Sequence, residues 1–265
     1  MPHDLHPAPM DAADPNFAPA APSIDPAEIA RFSAIAKEWW SATGKFRPLH
    51  WLNPVRLQYI KEHAVRHFGL NAQGPRPLEG LRLLDVGCGG GLLCEPLHRL
   101  GARVTGLDAG IANIKTATVH AQEGGLDIDY RAGSIEGLAA SGEQFDVVLS
   151  MEVIEHVNDP AAFIAACART LKPGGLMFLS TINRTQKARA LALFAAERVL
   201  NWLPPGTHTY EKLVTPEELE SALAKAGLEA GPATGVSYNP LSGQWRLTGD
   251  LSMNYMLSAV WASTP

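Results

Sequence analysis

The stretch LRLLDVGCGGG at residues 81–91 constrains the fold of this chain more than any other part of its sequence. Its first half, Leu81 to Asp85, is mostly apolar and is typical of a strand buried on both faces of a sheet. A crowded glycine turn follows, and a helix-like segment begins at residue 91. A strand, a glycine turn and a helix open a nucleotide-binding unit, because small residues let a ligand approach the backbone and the helix N-terminus offers free N–H groups.

The spacing of the glycines distinguishes between classes of nucleotide ligand. A dinucleotide fingerprint, G-x-G-x-x-G, requires a third glycine at the position of Leu92. Gly87, Gly89 and Gly91 instead follow the pattern G-x-G-x-G, and Asp85 precedes the first of them by two residues. This pattern does not indicate a pyrophosphate-binding turn, and Asp85 stands where a carboxylate can face a cationic ligand. We therefore expect these four residues to bind a cofactor, although a glycine turn on its own is a weak signal.

Predicted strands and helices alternate from residue 81 onward. The strands are predicted at 81–86, 103–107, 127–131, 145–150 and 175–181, and the helices at 91–100, 111–123, 159–171 and 215–226. Two β-like stretches, 228–238 and 249–260, fit an antiparallel terminal hairpin. The order predicts an α/β, Rossmann-like fold with a mostly parallel seven-stranded sheet, an antiparallel C-terminal hairpin and N-terminal helices.

One domain of this kind accounts for most of the chain. Residues 1–23 are rich in Pro and Ala, and we expect a disordered tail there. The single domain, 24–265, divides into an N-terminal helical cap at 24–70, a cofactor-binding core at 81–182 and an inserted helix or lid at 186–210. Within the cap, helices are expected to start at Asp25 and at Asn53, each a capping residue followed by proline.

Composition excludes several functional classes. The net charge of −5 and the pI of about 6.0 leave no basic surface of the kind that nucleic acid requires. The three cysteines form no C-x-x-C pair, which favours reduced thiols over a disulfide or a thiolate zinc site. The N-terminus lacks the features of a secretory signal, so we expect a cytoplasmic protein.

Ligands of an open α/β sheet bind at the carboxyl ends of its strands, so the residues that follow each strand are candidates for the site. Asp108 follows the second strand, where its carboxylate can accept hydrogen bonds from a ribose. Ile135 follows the third strand and suits the flank of an adenine. Met151 follows the fourth strand and is expected to pack against the adenosyl group.

The segment after the fourth strand also holds the candidate catalytic residues. A helical turn beginning near Glu152 would place Glu152, Glu155 and His156 on one face, at i, i+3 and i+4. Such a cluster could bind a divalent ion such as Mg²⁺, or act as a general base without metal, or contain a histidine that only packs. The spacing does not distinguish these three alternatives.

A further segment, Ala188 to Leu203, is apolar on almost every side. A helix of this composition either packs on its own domain or contacts lipid or an apolar ligand. With about 16 residues it is too short to span a membrane.

Several motifs together resemble one family of class I S-adenosylmethionine-dependent methyltransferases, the ubiquinone-biosynthesis O-methyltransferases. The resemblance runs from Ile29 to Leu257, and its blocks are FRPLHWLNPVR (46–56), LLDVGCGGGLL (83–93), VTGLD (104–108), SMEVIEHVNDP (150–160), LKPGG (171–175), STINR (180–184), PPGTHTYEKLVTPEEL (204–219) and VSYNP (236–240). The glycine motif is typical of the whole superfamily, whereas the N-terminal, STINR, PGTH and YNP blocks are specific to the family.

The resemblance implies O-methylation of phenol or catechol hydroxyls on polyprenylated ubiquinone precursors, 2-polyprenyl-6-hydroxyphenol and 3-demethylubiquinol. It implies S-adenosylmethionine contacts at Arg56, Gly87, Asp108 and Met151, and a Mg²⁺-type ion at Glu152, Glu155 and His156. It further implies that the inserted helix contacts anionic lipid, which would make the enzyme peripheral at the inner face of the membrane. Other enzymes of ubiquinone biosynthesis are candidate partners.

Three other functions compete with this interpretation. A methyltransferase of a soluble phenolic acceptor would use the apolar insertion as a structural helix. A non-catalytic S-adenosylmethionine-binding module would not need the acidic cluster after the fourth strand. An RNA methyltransferase is disfavoured by the negative charge.

Overall fold

The computed structural model describes residues 23–190, 210–239 and 243–263. The helices are α1 Pro26–Ala34, α2 Arg47–Phe68, α3 Cys94–Arg99, α4 Ile111–Glu123, α5 Ile135–Ala140, α6 Pro160–Arg169, α7 Gln186–Ala188 and α8 Pro216–Lys225. The strands are β1 Arg82–Val86, β2 Arg103–Asp108, β3 Asp129–Ala132, β4 Phe145–Met151, β5 Leu171–Ile182, β6 Leu228–Ala230, β7 Thr234–Asn239, β8 Gln244–Thr248 and β9 Asn254–Trp261. Short 3₁₀ turns occur at Ala36–Glu38, Ile154–His156 and Tyr210–Lys212.

All the strands of the described residues form one sheet. Its order is β3-β2-β1-β4-β5-β9-β7-β8, and β6 pairs with β9. Strands β1 to β5 are parallel, whereas β9 runs antiparallel to β5 and to β7. The mixed α/β fold with antiparallel C-terminal strands is therefore confirmed. The described residues form nine strands rather than seven, because the stretch predicted at 228–238 is interrupted between β6 and β7 and β8 is additional.

The core lies on both faces of the sheet. Leu83 and Leu84 are adjacent in β1 and both fully buried, and their side chains point to opposite faces. Leu84 packs in a cluster with residues of α5, α6 and α8, and Leu83 packs in one with residues of α2 and α3. The sheet is therefore covered on both faces, which explains why its strands read as continuous apolar runs.

Helix α2 begins earlier than its sequence suggests. We expected this helix to start at Asn53, but α2 starts at Arg47 and contains Pro54 in its interior. The Asn53 side chain does not cap a helix and instead donates a hydrogen bond to the carbonyl of Leu92, 2.7 Å away. Burial of apolar residues such as Leu52 outweighs the local preference of proline for a helix start.

The first described residues, from residue 23 onward, are already part of the folded domain. Asp25 caps α1 as predicted, and its side chain accepts a hydrogen bond from the amide of Ala27. The predicted tail reaches residue 23, but Ser23 is fully buried, and its carbonyl accepts a hydrogen bond from the amide of Asn158 at 2.7 Å. Residues 1–22 lie outside the described residues.

The predicted helices differ from the structure at two further places. Helix α3 has only six residues, because turns occupy residues 89–93, and helix α5 is present although no helix was predicted there. The inserted helix and lid fall largely within 191–209, outside the described residues. In the part of the chain that is described, no helix is long and apolar enough to cross a membrane.

Candidate functional site

A cavity of about 580 Å³ opens at the carboxyl ends of the parallel strands. This volume lies within the range of about 300–1,000 Å³ that is usual for small-molecule sites. The predicted site residues that line it are Gly87, Gly89, Asp108, Ile135, Met151, Glu152 and His156. The remaining four, Arg56, Asp85, Gly91 and Glu155, do not line the cavity as described.

The glycine turn forms part of the cavity wall. Gly87 and Gly89 have φ angles of 74° and 54°, in the left-handed region that favours glycine. A Cβ on Gly87 would lie 2.5 Å from Cγ2 of Val153, and a Cβ on Gly89 would collide with the ring of Trp39. Gly91 has a different neighbour, since its Cβ would collide with the Tyr130 hydroxyl. The missing side chains of Gly87 and Gly89 thus make room for Val153 and Trp39, and of the three predicted glycines these two line the cavity.

Asp108 is held rigidly at the cavity wall. One carboxylate oxygen, Oδ2, accepts a hydrogen bond from the amide of Gly89 at 2.9 Å. The other, Oδ1, accepts from the amide of Gly110 at 2.8 Å and from Nδ2 of Asn113 at 3.0 Å. Burial raises the pKa of Asp108, and these three donors oppose that rise. The carboxylate thus joins the ends of β1 and β2 and stands where a ribose diol could add two donors.

Asp85 lies in the interior behind the glycine turn. Its carboxyl group accepts a hydrogen bond from the Cys94 thiol at 3.2 Å. Burial raises the pKa of Asp85 to about 7, while the Cys94 hydrogen bond and the charge of Arg56 act in the opposite direction. The structure therefore places Asp85 near Arg56 rather than at the cavity surface.

Arg56 occupies the middle of α2, not the first turn of a helix, and it is only 4% exposed. Its Nη2 lies 3.3 Å from Oε1 of Glu152. Within the described residues, Nε and Nη2 of Arg56 have no hydrogen-bond partner. A buried guanidinium with unused donors close to the cavity fits a carboxylate-bearing ligand.

Glu152 has a strained backbone and a well-held side chain. Its φ is 60°, and residues other than glycine rarely adopt a positive φ. Residues that do so are often found at functional sites. Oε1 accepts a hydrogen bond from the Ser180 hydroxyl at 2.8 Å, and Oε2 accepts one from Nδ2 of Asn254 at 3.2 Å. Glu152 therefore links β4, β5 and β9 with Arg56.

His156 lines the cavity, whereas the neighbouring Glu155 is buried in the protein interior. Nδ1 of His156 lies 2.8 Å from Oε2 of Glu28, a residue of α1, and both side chains line the cavity. Glu155 is 2% exposed, and neither of its carboxylate oxygens has a hydrogen-bond partner within the described part of the chain. Burial, and next the neighbouring Glu152, raise the pKa of Glu155.

The predicted metal-ligand set does not assemble. The residues after β4 form a 3₁₀ turn at Ile154–His156 instead of an α-helical turn from Glu152, so the i, i+3, i+4 face is lost. Glu152 turns toward Arg56, His156 toward Glu28, and Glu155 into the core. Across residues 23–190, 210–239 and 243–263, no three His, Cys, Asp or Glu side chains are grouped to hold a metal ion. The residues do not fit the Mg²⁺ site expected from the sequence.

The cavity extends far from the glycine turn. Val236, Tyr238 and Trp245, on β7 and β8, line it together with Leu49 and other apolar residues. These strands lie at the opposite end of the sheet from β3. Ring contacts build the wall, with centroids of Tyr238 and Trp245 5.4 Å apart. One cavity therefore joins a polar end at β1 and β2 to an aromatic end at β7 and β8.

Sequence reasoning missed several residues that shape the cavity. Asn113 and Trp39 form one such pair, since Trp39 Nε1 donates a hydrogen bond to Asn113 Oδ1 at 2.9 Å beside Asp108. Glu28 of α1 is another residue that lines the cavity. Nothing in the local spacing of these residues points to the cavity, because their partners are distant in the chain.

Comparisons with known proteins agree with this fold. A family model described as a methyltransferase domain matches residues 57–231. The structure of magnesium protoporphyrin IX methyltransferase from Synechocystis PCC 6803 with bound SAH has a TM-score of 0.56 and 20% identity, and the match covers 78% of this chain and 82% of that one. An S-adenosylmethionine-dependent methyltransferase from Clostridium acetobutylicum has a TM-score of 0.58 and 14% identity, covering 88% and 99%. At these identities the likeness is one of fold.

Curated relatives are much closer in sequence. A ubiquinone biosynthesis O-methyltransferase from Sinorhizobium medicae is 59% identical over 240 residues, which cover 91% of this chain and 97% of the relative. A protein of the same name from Parvibaculum lavamentivorans is also 59% identical over 240 residues, covering 91% and 95%. These matches confirm the resemblance found in the motifs. The chain therefore belongs to the ubiquinone biosynthesis O-methyltransferase family and is an O-methyltransferase.

Proposed function

We propose that the enzyme transfers a methyl group from S-adenosylmethionine to a phenol or catechol hydroxyl of a polyprenylated ubiquinone precursor. The observation that carries this proposal is the two-ended cavity, with Glu152 and His156 between its polar and aromatic ends. The polar end suits an adenosyl group, and the aromatic end suits the ring and first isoprenoid units of the acceptor. Accumulation of hydroxylated, unmethylated polyprenyl intermediates in a deletion strain would support the substrate class, and normal ubiquinone levels would contradict it.

The cofactor, when bound, supplies a sulfonium methyl that is already activated for transfer. The chain must therefore align the acceptor oxygen and remove its proton. A phenol resembling that of tyrosine has a pKa near 10, so at neutral pH it needs a base. We assign this role to His156, because its imidazole lines the cavity and histidine is the side chain that most often serves as a general base.

The polar end is assigned to the cofactor by its donors and acceptors. Gly87 and Gly89 line this end with backbone in the left-handed region, and Asp108 accepts the ribose hydroxyls. Ile135 and Met151 flank the adenosyl group from neighbouring strand ends.

Asp108→Ala should weaken S-adenosylmethionine binding by about 1–3 kcal/mol, because the ribose donors lose a charged acceptor. The same change removes the acceptor of the Gly89 and Gly110 amides, so the turn itself would loosen. Isothermal titration calorimetry measures the effect. The matched control is Asp129→Ala, since Asp129 is an exposed residue of β3 that pairs with Arg131 and does not line the cavity. Equal affinity of wild type and Asp108→Ala would exclude the ribose role.

We also propose that the apolar segment at 188–203 brings a cytoplasmic enzyme to the inner face of the membrane. This segment lies almost wholly outside the described residues, so its composition is the support. An acceptor with a long isoprenoid tail resides in the bilayer, so the enzyme must approach lipid to reach it. Arg189 and Arg198 would each add about 1 kcal/mol of attraction to an anionic surface.

Wild-type protein should co-sediment with anionic vesicles, and binding should weaken with salt. A variant with Leu193→Glu and Trp202→Glu should lose vesicle binding while keeping its rate on a short-tailed soluble acceptor. A second variant with two exposed residues changed, Ile111→Glu and Val119→Glu, controls for lost surface hydrophobicity in general. Normal vesicle binding by the first variant would show that this segment is not the membrane contact.

A further inference from the structure

The first helix of the cap reaches the proposed base directly. Oε2 of Glu28, in α1, lies 2.8 Å from Nδ1 of His156, although the two residues are 128 positions apart in the chain. Their side chains are 18% and 13% exposed, and both line the cavity. The two side chains therefore have the geometry of an ion pair in the cavity lining, and their low exposure distinguishes this contact from one between two mobile surface side chains.

Helix α1 holds the imidazole in more than one way. The ring of Phe32, one turn after Glu28, meets the ring of His156 edge-on, with centroids 5.2 Å apart and planes at 84°. Arg31 pairs with the same carboxylate oxygen of Glu28, which fixes its orientation. Phe32 and Glu28 thus restrict both the tilt and the rotation of the imidazole.

The backbone joins α1 to the loop that carries His156. Ile24 forms an antiparallel bridge with Val157, the residue after the histidine. Nδ2 of Asn158 donates a hydrogen bond to the carbonyl of Ile24 at 3.0 Å. Because the residues on both sides are tied together, the distance between Glu28 and His156 is set by the fold.

The charge of Glu28 decides which ring nitrogen carries the proton. Its Oε2 pairs with Arg31 as well as with Nδ1 of His156, and a carboxyl group between two cationic partners is held as the carboxylate. An ionised carboxylate can only accept a hydrogen bond, so Nδ1 of the imidazole must be the donor. In the neutral ring the basic nitrogen is then Nε2.

We propose that Glu28 is a positioning residue for methyl transfer: it fixes the Nδ1–H tautomer of His156 and directs Nε2 to the acceptor hydroxyl. This inference rests on the proposed role of His156 as the base. The step balances: the acceptor oxygen gains the methyl carbon as the bond from that carbon to the sulfonium sulfur breaks and leaves a neutral thioether. The hydroxyl proton passes to Nε2, and the carboxylate of Glu28 stabilises the imidazolium without being protonated.

The test is a double-mutant cycle measured by kcat. Glu28→Gln keeps the size of the side chain but removes the charge, and we expect kcat to fall by about 10- to 100-fold, the usual cost of losing a partner that orients a histidine. The KM for S-adenosylmethionine should change less than about twofold, because Glu28 acts through the base. In the His156→Ala background, Glu28→Gln should cause no further loss of kcat.

The matched control is Glu38→Gln. Glu38 is another carboxylate of the N-terminal region, paired with Lys45 at 3.2 Å, and it does not line the cavity. This variant should keep wild-type kcat, and circular dichroism of all variants should report the same fold.

Each other result has a definite meaning. An equal loss of kcat from Glu28→Gln in both backgrounds would show that Glu28 acts independently of His156 and would overturn the inference. A wild-type kcat for Glu28→Gln would overturn it as well while leaving the base assignment intact. If His156→Ala itself keeps full kcat, the base assignment in the proposed function fails, and the inference fails with it.

Discussion

Replacement of His156 by alanine is expected to lower kcat by about 100- to 10,000-fold, the usual contribution of a general base. The S-adenosylmethionine dissociation constant should stay within about threefold of the wild-type value, because we assign His156 to the acceptor, and Asp108 with its Gly89 and Gly110 donors to the cofactor. Single-turnover methyl transfer to a short-tailed catechol separates the chemical step from product release. Calorimetry measures the cofactor affinity in parallel.

Two controls make this result specific. His67→Ala changes an exposed histidine on α2 that contacts the carbonyl of Gly174 and does not line the cavity, and it should leave kcat unchanged. Chelator treatment of wild type should also leave kcat unchanged, since the three predicted ligands face different partners. A full loss of activity with chelator that Mg²⁺ restores would show that the side chains rearrange into a metal site, and the base mechanism would then be wrong.

The fold was predictable because its signals are local. Apolar runs of five to seven residues, glycine turns and helix starts follow one another along the chain, and each specifies its own element. The start of α2 at Arg47 was not predictable in this way. Pro54 is a strong local sign of a helix start, and only packing of the preceding turns against the rest of the domain overrides it.

The glycine-turn end of the site could be predicted from the sequence, whereas the surroundings of Glu152 and His156 could not. Gly87, Gly89 and Asp108 belong to a compact motif, so their shared location follows from the rule that ligands bind at strand ends. The partners of Glu152 and His156 come from distant parts of the chain, and the contact between Asn254 and Glu152 joins residues 102 positions apart. A 3₁₀ turn in place of an α-helical turn then redirected the side chains, which no periodicity in the sequence indicates.

Glu152→Ala is expected to lower the free energy of unfolding by about 3 kcal/mol. Its carboxylate lies 3.3 Å from Nη2 of the buried Arg56, and removing one partner of a buried pair leaves an uncompensated charge that costs about 3–5 kcal/mol. We expect the lower end of that range, because Asp85 also interacts with the Arg56 charge. Urea unfolding with linear extrapolation measures the change.

The backbone of Glu152 provides a second comparison. Alanine at a φ of 60° is as strained as glutamate, whereas glycine adopts this conformation freely. Glu152→Gly should therefore be more stable than Glu152→Ala by about 1 kcal/mol, although glycine is usually the less stable of the two. The opposite order would show that the strain at this position is not real.

The double variant Arg56→Met, Glu152→Ala identifies the cause of the loss. Removing both charges eliminates the unpaired guanidinium, and methionine fills most of its space, so stability should recover to within about 1 kcal/mol of wild type. A double variant no more stable than Glu152→Ala would show that the ion pair with Arg56 is not what Glu152 contributes to stability.

Because the recovered double variant is folded, it also tests the function of Arg56. We expect it to bind S-adenosylmethionine at least tenfold more weakly than wild type. The reason is that the guanidinium donors without a hydrogen-bond partner in the described structure are then absent. Wild-type affinity in this stable variant would instead assign Arg56 to the buried ion pair alone and remove it from the cofactor site.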